Sequence, residues 1–343
     1  MRESEKRRPD PWLEASAPAR IDLAGGTLDL WPLHVLHPGS VTVNLAIDLR
    51  ARCRVRPRSS GFRVTVPDLG YERSVGEALE LLADPRGALA GALLEGLGIR
   101  EPRDIELSSA VPYGSGLGGS SALTVAMAAA LSESAGRSFE GEGRVELVRD
   151  VETRVLGKPA GIQDYYPALS GGLHVLEFVP GRVEARRTSV DPALWLRHLT
   201  LFDTGAAHSS GMNNWEVFRT RLEGDHLVAA RLEEVRLAAR DMADAVAAGD
   251  FRAMGEAMKR EWEARRRLAP VVSSPGIEAA IQGAMAAGAW GGKACGAGGG
   301  GCVVLLAPAE KTPAVRAALS RLPEGRLLLV AAENRGLTVG AAA

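Results

Sequence analysis

Val111-Pro-Tyr-Gly-Ser-Gly-Leu-Gly-Gly-Ser-Ser121 lies between a β-rich run, Asp104–Ser108, and a small-residue helix expected over Ala122–Ala135. The glycines at 114, 116, 118 and 119 let the backbone fold tightly and aim several N–H groups at one point. The helix that follows adds its N-terminal dipole and its unpaired N–H groups. Strand, glycine loop and helix start make an anion cradle whose usual guest is phosphate. Ser120 and Ser121 bring two hydroxyls to the same place, suited to phosphate or to a divalent cation. A serine-capped turn without a ligand is the bland alternative, but so long a run of glycine and serine carries an ordering cost that a turn does not require.

Two familiar phosphate loops fail on context. Gly114, Gly116 and Gly119 satisfy G-x-G-x-x-G, yet the helix is followed by Gly136-Arg-Ser-Phe-Glu-Gly-Glu142 and another helix, not by a parallel strand ending in an acid. G-x-x-x-x-G-K-[ST] occurs nowhere; Lys293 follows glycines, but Ala287 and Ala294 fill the positions that need Gly and Ser/Thr.

Working outward, Leu13–Leu23, Val41–Ile47, Ala51–Val55 and Phe62–Val66 read as strands, and Gly87–Leu97 and residues 142–156 as helices. Leu173–Phe178 and Val183–Arg187 look like closing strands. In the second half, strand Leu199–Asp203 leads to a polar loop over Thr204–Asn214. Helices are expected over Leu227–Ala248, Phe251–Leu268 and Ile277–Ala287, with Gly249-Asp250 as a cap between the first two. A glycine-dense segment, 288–301, precedes strand Cys302–Leu306, helix Pro313–Ser320 and strand Arg326–Ala331. This mixture without a βαβα rhythm predicts an α+β fold. At 343 residues, two domains sharing a cleft are expected, residues 10–188 and 189–343.

Three motifs together resemble the GHMP kinases (galactokinase, homoserine kinase, mevalonate kinase, phosphomevalonate kinase). The first runs from Ala17 to Asp29. The second, P-x-G-x-G-L-G-S-S-A, is matched by Pro112–Ala122 with one extra glycine, Gly119. The third is Lys293-Ala-Cys-Gly-Ala-Gly-Gly-Gly-Gly-Cys302. Within the family, Leu23–Pro32, Gly157–Tyr165 and the segments from Glu261-Trp262 through Ser273–Pro275 to Lys293 resemble the D-glycero-D-manno-heptose 7-phosphate kinases and fucokinase-like enzymes. Two departures, Gly25-Gly26-Thr27-Leu28 where three glycines are usual and His208 where an arginine is common, leave the substrate open.

The resemblance implies an N-terminal domain like the second domain of ribosomal protein S5, a ferredoxin-like C-terminal domain, and phosphoryl transfer from ATP with Mg²⁺. It places Pro112, Gly114, Ser115, Gly116, Leu117, Gly118, Gly119, Ser120 and Ser121 around the ATP phosphates. It gives the metal to Glu152 with Ser121 or Ser120, and support of the loop to Lys293, Gly296, Gly298, Gly299 and Gly300. Asp164 corresponds to the catalytic aspartate and Arg20 to the basic residue beside it. Asp29 corresponds to the residue that accepts from sugar hydroxyls, with Thr27, Trp31 and His208 as further substrate candidates. Read without the family, Glu152 is a solvated carboxylate beside Arg149 and Arg154, Asp164 equally an Asx turn after Gly161 or a catalytic carboxylate, and Arg20 an edge-strand surface residue. The acceptor implied is a sugar or sugar phosphate, with the anomeric hydroxyl of a heptose 7-phosphate as the specific case. A mevalonate-type alcohol and a non-catalytic nucleotide- or sugar-binding regulator are the alternatives.

Composition restricts the partners. There are 41 basic and 42 acidic residues, a net charge of −1, without the basic excess that nucleic-acid binding normally shows. Arg265–Arg267 reads as a solvated helix face or, alternatively, a phosphate contact. Three cysteines offer neither a disulfide framework nor zinc spacing. The N-terminus lacks a signal-peptide h-region, and apolar runs such as Val303–Ala307 are too short to span a bilayer. A cytoplasmic monomer or homodimer without a membrane partner is expected.

Overall fold

The structure is a computed structural model describing residues 11–141, 143–206 and 210–342, with 210–213 as backbone alone. His208 lies outside the described residues. The strands are β1 (Leu13–Ala24), β2 (Val41–Pro57), β3 (Phe62–Val66), β4 (Tyr71–Val75), β5 (Arg103–Ser109), β6 (Leu173–Val179), β7 (Arg182–Thr188), β8 (Leu199–Asp203), β9 (Gly291–Ala294), β10 (Cys302–Leu306), β11 (Arg326–Leu328) and β12 (Thr338–Ala341). The helices are α1 (Leu33–Leu36), α2 (Ala88–Gly96), α3 (Gly119–Ser134), α4 (Arg144–Leu156), α5 (Tyr165–Ser170), α6 (Pro192–His198), α7 (Ser210–Leu222), α8 (His226–Ala248), α9 (Phe251–Arg265), α10 (Pro275–Ala286) and α11 (Thr312–Leu319).

Among the described residues, one sheet runs β12-β1-β2-β5-β3-β4, with β6 pairing to β2 and β7. Among the described residues, only β3 and β5 pair in parallel. A second, antiparallel sheet runs β11-β8-β10-β9. The first core lies between β1, β2, β3 and β5 and helices α2, α3 and α4. The alanines of α3, from Ala126 to Ala130, are all buried, so this helix lies close to the sheet. A second core joins the two halves: Ile21, Leu23, Val43 and Leu45 pack with Met242 of α8, Met258 of α9 and Val304 of β10. A third core fills the space between the second sheet and α8, α9 and α10.

β1 is what brings the halves together. An irregularity at Pro18/Ala19, where pairing skips from Arg50 to Ile47, moves the strand from the first core to the second. Ala15 and Ala17 belong to the first, Ala19, Ile21 and Leu23 to the second. Alternation then leaves Arg20 and Asp22 on the face opposite Ile21 and Leu23, buried and aimed at the loops between the halves.

The α+β expectation holds. Several elements differ from the sequence reading, and β4, α1, α5, α6 and β12 have no counterpart in it. Residues 41–57 form one strand, not two runs. The polar stretch read as a loop up to Asn214 is helix from Ser210. The glycine-dense segment contains β9. The final strand β12 pairs with β1, and Ala332 bridges to Ile47. The end of the chain therefore returns to the first sheet, across the division placed after residue 188. All three cysteines are buried and unpaired, and no helix among the described residues is long and apolar enough to cross a membrane.

Candidate active site

Glycine freedom is used to the full in the loop before α3. Gly114, Gly116 and Gly118 alternate through the left-handed region, with φ of 68°, 75° and 72°. Such alternation curls successive N–H groups inward into an anion-binding concavity. Three carbonyls on its outer side are taken. Cys302 N donates to Ser115 O at 2.8 Å, Arg20 Nη1 to Gly116 O at 2.5 Å and Arg20 N to Leu117 O at 2.9 Å. Among the described residues, nothing accepts from the N–H groups of Gly116 to Ser121. Leu117 is fully buried and anchors the loop in the core between the halves, while Ser115 is buried beneath it. Gly119 fits because a Cβ there would lie 2.9 Å from Val111 Cγ1.

The second glycine segment presses on the back of the first. A Cβ on Gly296 would sit 3.0 Å from Gly116 O, and one on Gly301 would sit 2.7 Å from Gly114 O and Ser115 O. Gly298 and Gly299 serve differently: they pack on Val272, whose carbonyl accepts from Gly299 N at 2.7 Å. Gly300 is buried. Gly301, not singled out from sequence, thus makes the close approach. Lys293 does not reach the loop; it is fully buried and donates to Asp22 Oδ2 at 2.7 Å.

Arg20 and Asp164 meet at the foot of the loop. Arg20 Nε and Nη2 both lie 2.7 Å from Asp164 Oδ1, and a Cβ on Gly118 would be 3.1 Å from Asp164 Oδ2. Burial opposes the Arg20 charge, but Asp164 and Asp22 outweigh it and hold its pKa above the ordinary value. Asp164 keeps 18% of its side chain exposed against 5% for Arg20, so the carboxylate faces the opening.

Glu152 comes in from α4 and is buried, not solvated. Its carboxylate accepts from Ser121 Oγ and Thr124 Oγ1 at 2.9 Å, Ser120 Oγ at 3.2 Å and Tyr165 Oη at 2.6 Å. Burial pushes its pKa up despite these donors. Ser121 Oγ also lies 3.4 Å from Asp164 Oδ2, so one hydroxyl stands between two carboxylates. Among the described residues no three of His, Cys, Asp or Glu converge on a metal site. A carboxylate ringed by hydroxyls beside an anion cradle nevertheless fits Mg²⁺, which takes one or two carboxylates and draws its other ligands from phosphate and water. Thr124 and Tyr165 were missed from sequence, although the first lies one turn beyond Ser120 and the second ends the Gly157–Tyr165 segment.

Asp29 reaches the same turn from the other side. Gln163 N, one residue before Asp164, donates to Asp29 Oδ2 at 3.1 Å. The carboxylate lies so close to Gly161 that a Cβ there would be 2.1 Å from it. Burial, then the Asp164 charge, raise the pKa of Asp29 to about 6. Thr27 is buried, and its hydroxyl is taken by Asn214 at 2.9 Å and Arg265 at 3.0 Å rather than turned to the cleft. Trp31 is 68% exposed. Arg265 is not on a solvated face: it is 1% exposed, while Arg266 and Arg267 pair with Glu278 and Glu234 at the surface.

The family models for the N-terminal domain and the C-terminal domain of the GHMP kinases match residues 77–172 and 242–324. The chain belongs to the GHMP kinases. It is accordingly a phosphotransferase acting on an alcohol group. Among its relatives, a D-glycero-alpha-D-manno-heptose 7-phosphate kinase of Campylobacter jejuni is 25% identical over 89% of this chain and 92% of that one. A mevalonate kinase of Thermococcus sibiricus is 26% identical over 95% and 97%. The crystal structure of a D-glycero-D-manno-heptose 1-phosphate kinase from Bacteroides thetaiotaomicron superposes with a TM-score of 0.76 at 22% identity, over 96% of this chain and 99% of that one. The two-sheet architecture of this GHMP kinase is therefore the family's fold.

Proposed function

We propose that this GHMP kinase transfers the γ-phosphoryl group of ATP to a hydroxyl of a sugar or sugar phosphate, with the anomeric hydroxyl of a heptose 7-phosphate as the leading acceptor. The observation that carries the reading is the convergence of three things on one turn: the cradle of N–H groups, the Asp164 carboxylate against Gly118, and the buried Asp29 carboxylate held by Gln163. The cradle binds the triphosphate by its oxygens. Asp164 accepts the proton of the attacking hydroxyl as the new O–P bond forms and the bond to the β-phosphate oxygen breaks, releasing ADP. Arg20, fixed by Asp164 and Gly116 O, offsets charge on the moving group. Magnesium, held by Glu152 with Ser121 or Ser120, would neutralise phosphate charge.

Asp29 favours a polyol over mevalonate, because a buried carboxylate gains most from an acceptor that offers two adjacent hydroxyls. ADP release with Mg·ATP should be measured against heptose 7-phosphate, fucose, galactose and mevalonate. Turnover on a sugar and not on mevalonate is expected; turnover on mevalonate alone would overturn the sugar reading.

The pH dependence follows from Asp29. Its carboxyl takes up a proton as pH falls through about 6, well above the usual 3.8. The ionised form accepts from hydroxyls more strongly, and protonation turns one of its oxygens into a donor. The kcat/KM for the acceptor should therefore fall on the acid side with an apparent pKa near 6. Asp29→Asn should raise the acceptor KM and remove that limb, as a pH–rate profile of both proteins will show.

A further inference from the structure

Four charged side chains lie sealed between the halves, away from the open side of Asp164. Asp22, Glu261 and Lys293 have no exposed side-chain area and Arg265 has 1%. Lys293 Nζ lies 2.7 Å from Asp22 Oδ2 and 3.4 Å from Glu261 Oε1. Arg265, one turn along α9 from Glu261, contacts Glu261 Oε1 through Nε at 2.8 Å and Nη2 at 2.6 Å. Burial disfavours the Asp22 anion, but Lys293, then Arg265 and Arg20, outweigh it and hold its pKa below the usual value.

The cluster grips the turn that leads from β1 to Asp29. Glu261 Oε1 accepts from Gly25 N at 3.3 Å. Arg265 Nη2 donates to Gly26 O at 2.5 Å and Nη1 to Thr27 Oγ1 at 3.0 Å. Thr27 has φ of 75°, among the described residues the only left-handed residue that is not glycine. A β-branched residue rarely adopts that conformation, so something must hold it there. Two turn bonds, Leu28 N to Gly25 O and Leu30 N to Thr27 O, both at 3.2 Å, carry the backbone on past Asp29.

Stability alone is a poor reason for such a cluster. A well-packed apolar set often replaces buried ion pairs at no loss, whereas fixing one arrangement is their better-attested use. Arg265 offers what an apolar residue or a lysine cannot: a planar fork that meets a carboxylate, a carbonyl and a hydroxyl at once. We propose that Arg265 is a positioning residue for the acceptor: from the C-terminal half it fixes Gly26 and Thr27, and with them the turn that presents Asp29. The inference rests on the role given to Asp29 in acceptor binding. Buried as it is, Arg265 acts only through the turn, and acceptor binding depends on it where donor binding does not.

The test uses the full chain, with the acceptor that the wild type turns over, and compares Arg265→Lys, Thr27→Val and Asp29→Asn. Arg265→Lys keeps the charge beside Glu261 and loses the fork. Thr27→Val keeps the shape and the charge balance and loses only the hydroxyl. Each loses hydrogen bonding to the turn, so the acceptor KM should rise about tenfold or more in both. The ATP KM should stay within about twofold of wild type, which a merely loosened fold would not produce. An unchanged acceptor KM in folded Arg265→Lys and Thr27→Val, beside a raised one in Asp29→Asn, overturns the positioning role alone. An unchanged acceptor KM in Asp29→Asn overturns the reading of Asp29 and the role of Arg265 with it. Should Arg265→Lys fail to fold, Thr27→Val decides by the same split beside Asn214→Ala, which removes the hydroxyl's other partner and should leave the acceptor KM near wild type; an equal rise in Asn214→Ala overturns the role of Arg265.

Discussion

Asp164→Asn should lower kcat by about two to four orders of magnitude while leaving ATP affinity close to wild type. The carboxylate is partly exposed, lies against the glycine loop and is held in place by a cation. Asparagine keeps its shape and can still accept from Arg20, but it cannot take the acceptor's proton. ATP binding rests on the cradle, whose N–H groups are fixed by Arg20 N, Arg20 Nη1 and Cys302 N on the opposite side of the loop, and only one of these donors belongs to a side chain that Asp164 touches. Asp164→Ala is the less informative variant, because it also leaves the Arg20 guanidinium without its carboxylate in a buried place. Single-turnover rates and nucleotide titration of Asp164→Asn check both halves of the expectation. Wild-type turnover would remove Asp164 from proton transfer.

What could be read from the sequence was what local chemistry dictates. The 112–121 loop signals itself because alternating glycines have few other uses, and the resemblance of Gly157–Tyr165 to the family points to Asp164 and, five residues before Gly157, to Glu152. The elements that escaped are those where tertiary contacts override propensity. β9 contains Gly291 and Gly292, poor strand formers, because α9 lies directly on it: a Cβ on Gly291 would come within 1.9 Å of Gly255 O. The break read between Ile47 and Ala51 is the point where β1 and β2 shift register; Asp48 and Leu49 drop out of the ladder there, while Arg50 stays paired with Pro18 and its side chain bonds the carbonyls of Ser16, Arg335 and Gly336. β12, with the sequence Thr-Val-Gly-Ala, has no pattern of its own and is a strand only because β1 offers it an edge. The buried cluster escaped for the same reason. Glu261 and Arg265 are spaced like any exposed i,i+4 pair, and nothing local says that Lys293 and Asp22 close over them.

The second large effect belongs to Gly301. Gly301→Ala should raise the ATP KM by about tenfold to a hundredfold, because the new methyl would come 2.7 Å from Gly114 O and from Ser115 C and O. Those atoms are backbone of the cradle, so relief requires the loop itself to move and its N–H groups to lose their common focus. The left-handed backbone of Gly301, with φ of 72°, adds a strain that has nothing to do with ATP. Gly249→Ala separates the two terms. Gly249 caps α8 with φ of 66°, and a Cβ there would meet nothing within 4 Å. That variant bears the left-handed cost alone, about 1 kcal/mol of stability, and its ATP KM should equal wild type. Thermal unfolding and ATP titration of the pair distinguish the outcomes. Equal losses of stability with a raised ATP KM only in Gly301→Ala would show the second glycine segment acting as a rigid back-plate for the phosphate loop. A folded Gly301→Ala with wild-type ATP KM would mean that the bonds from Arg20 and Cys302 N to the carbonyls of Ser115, Gly116 and Leu117 hold the loop's shape without the back-plate.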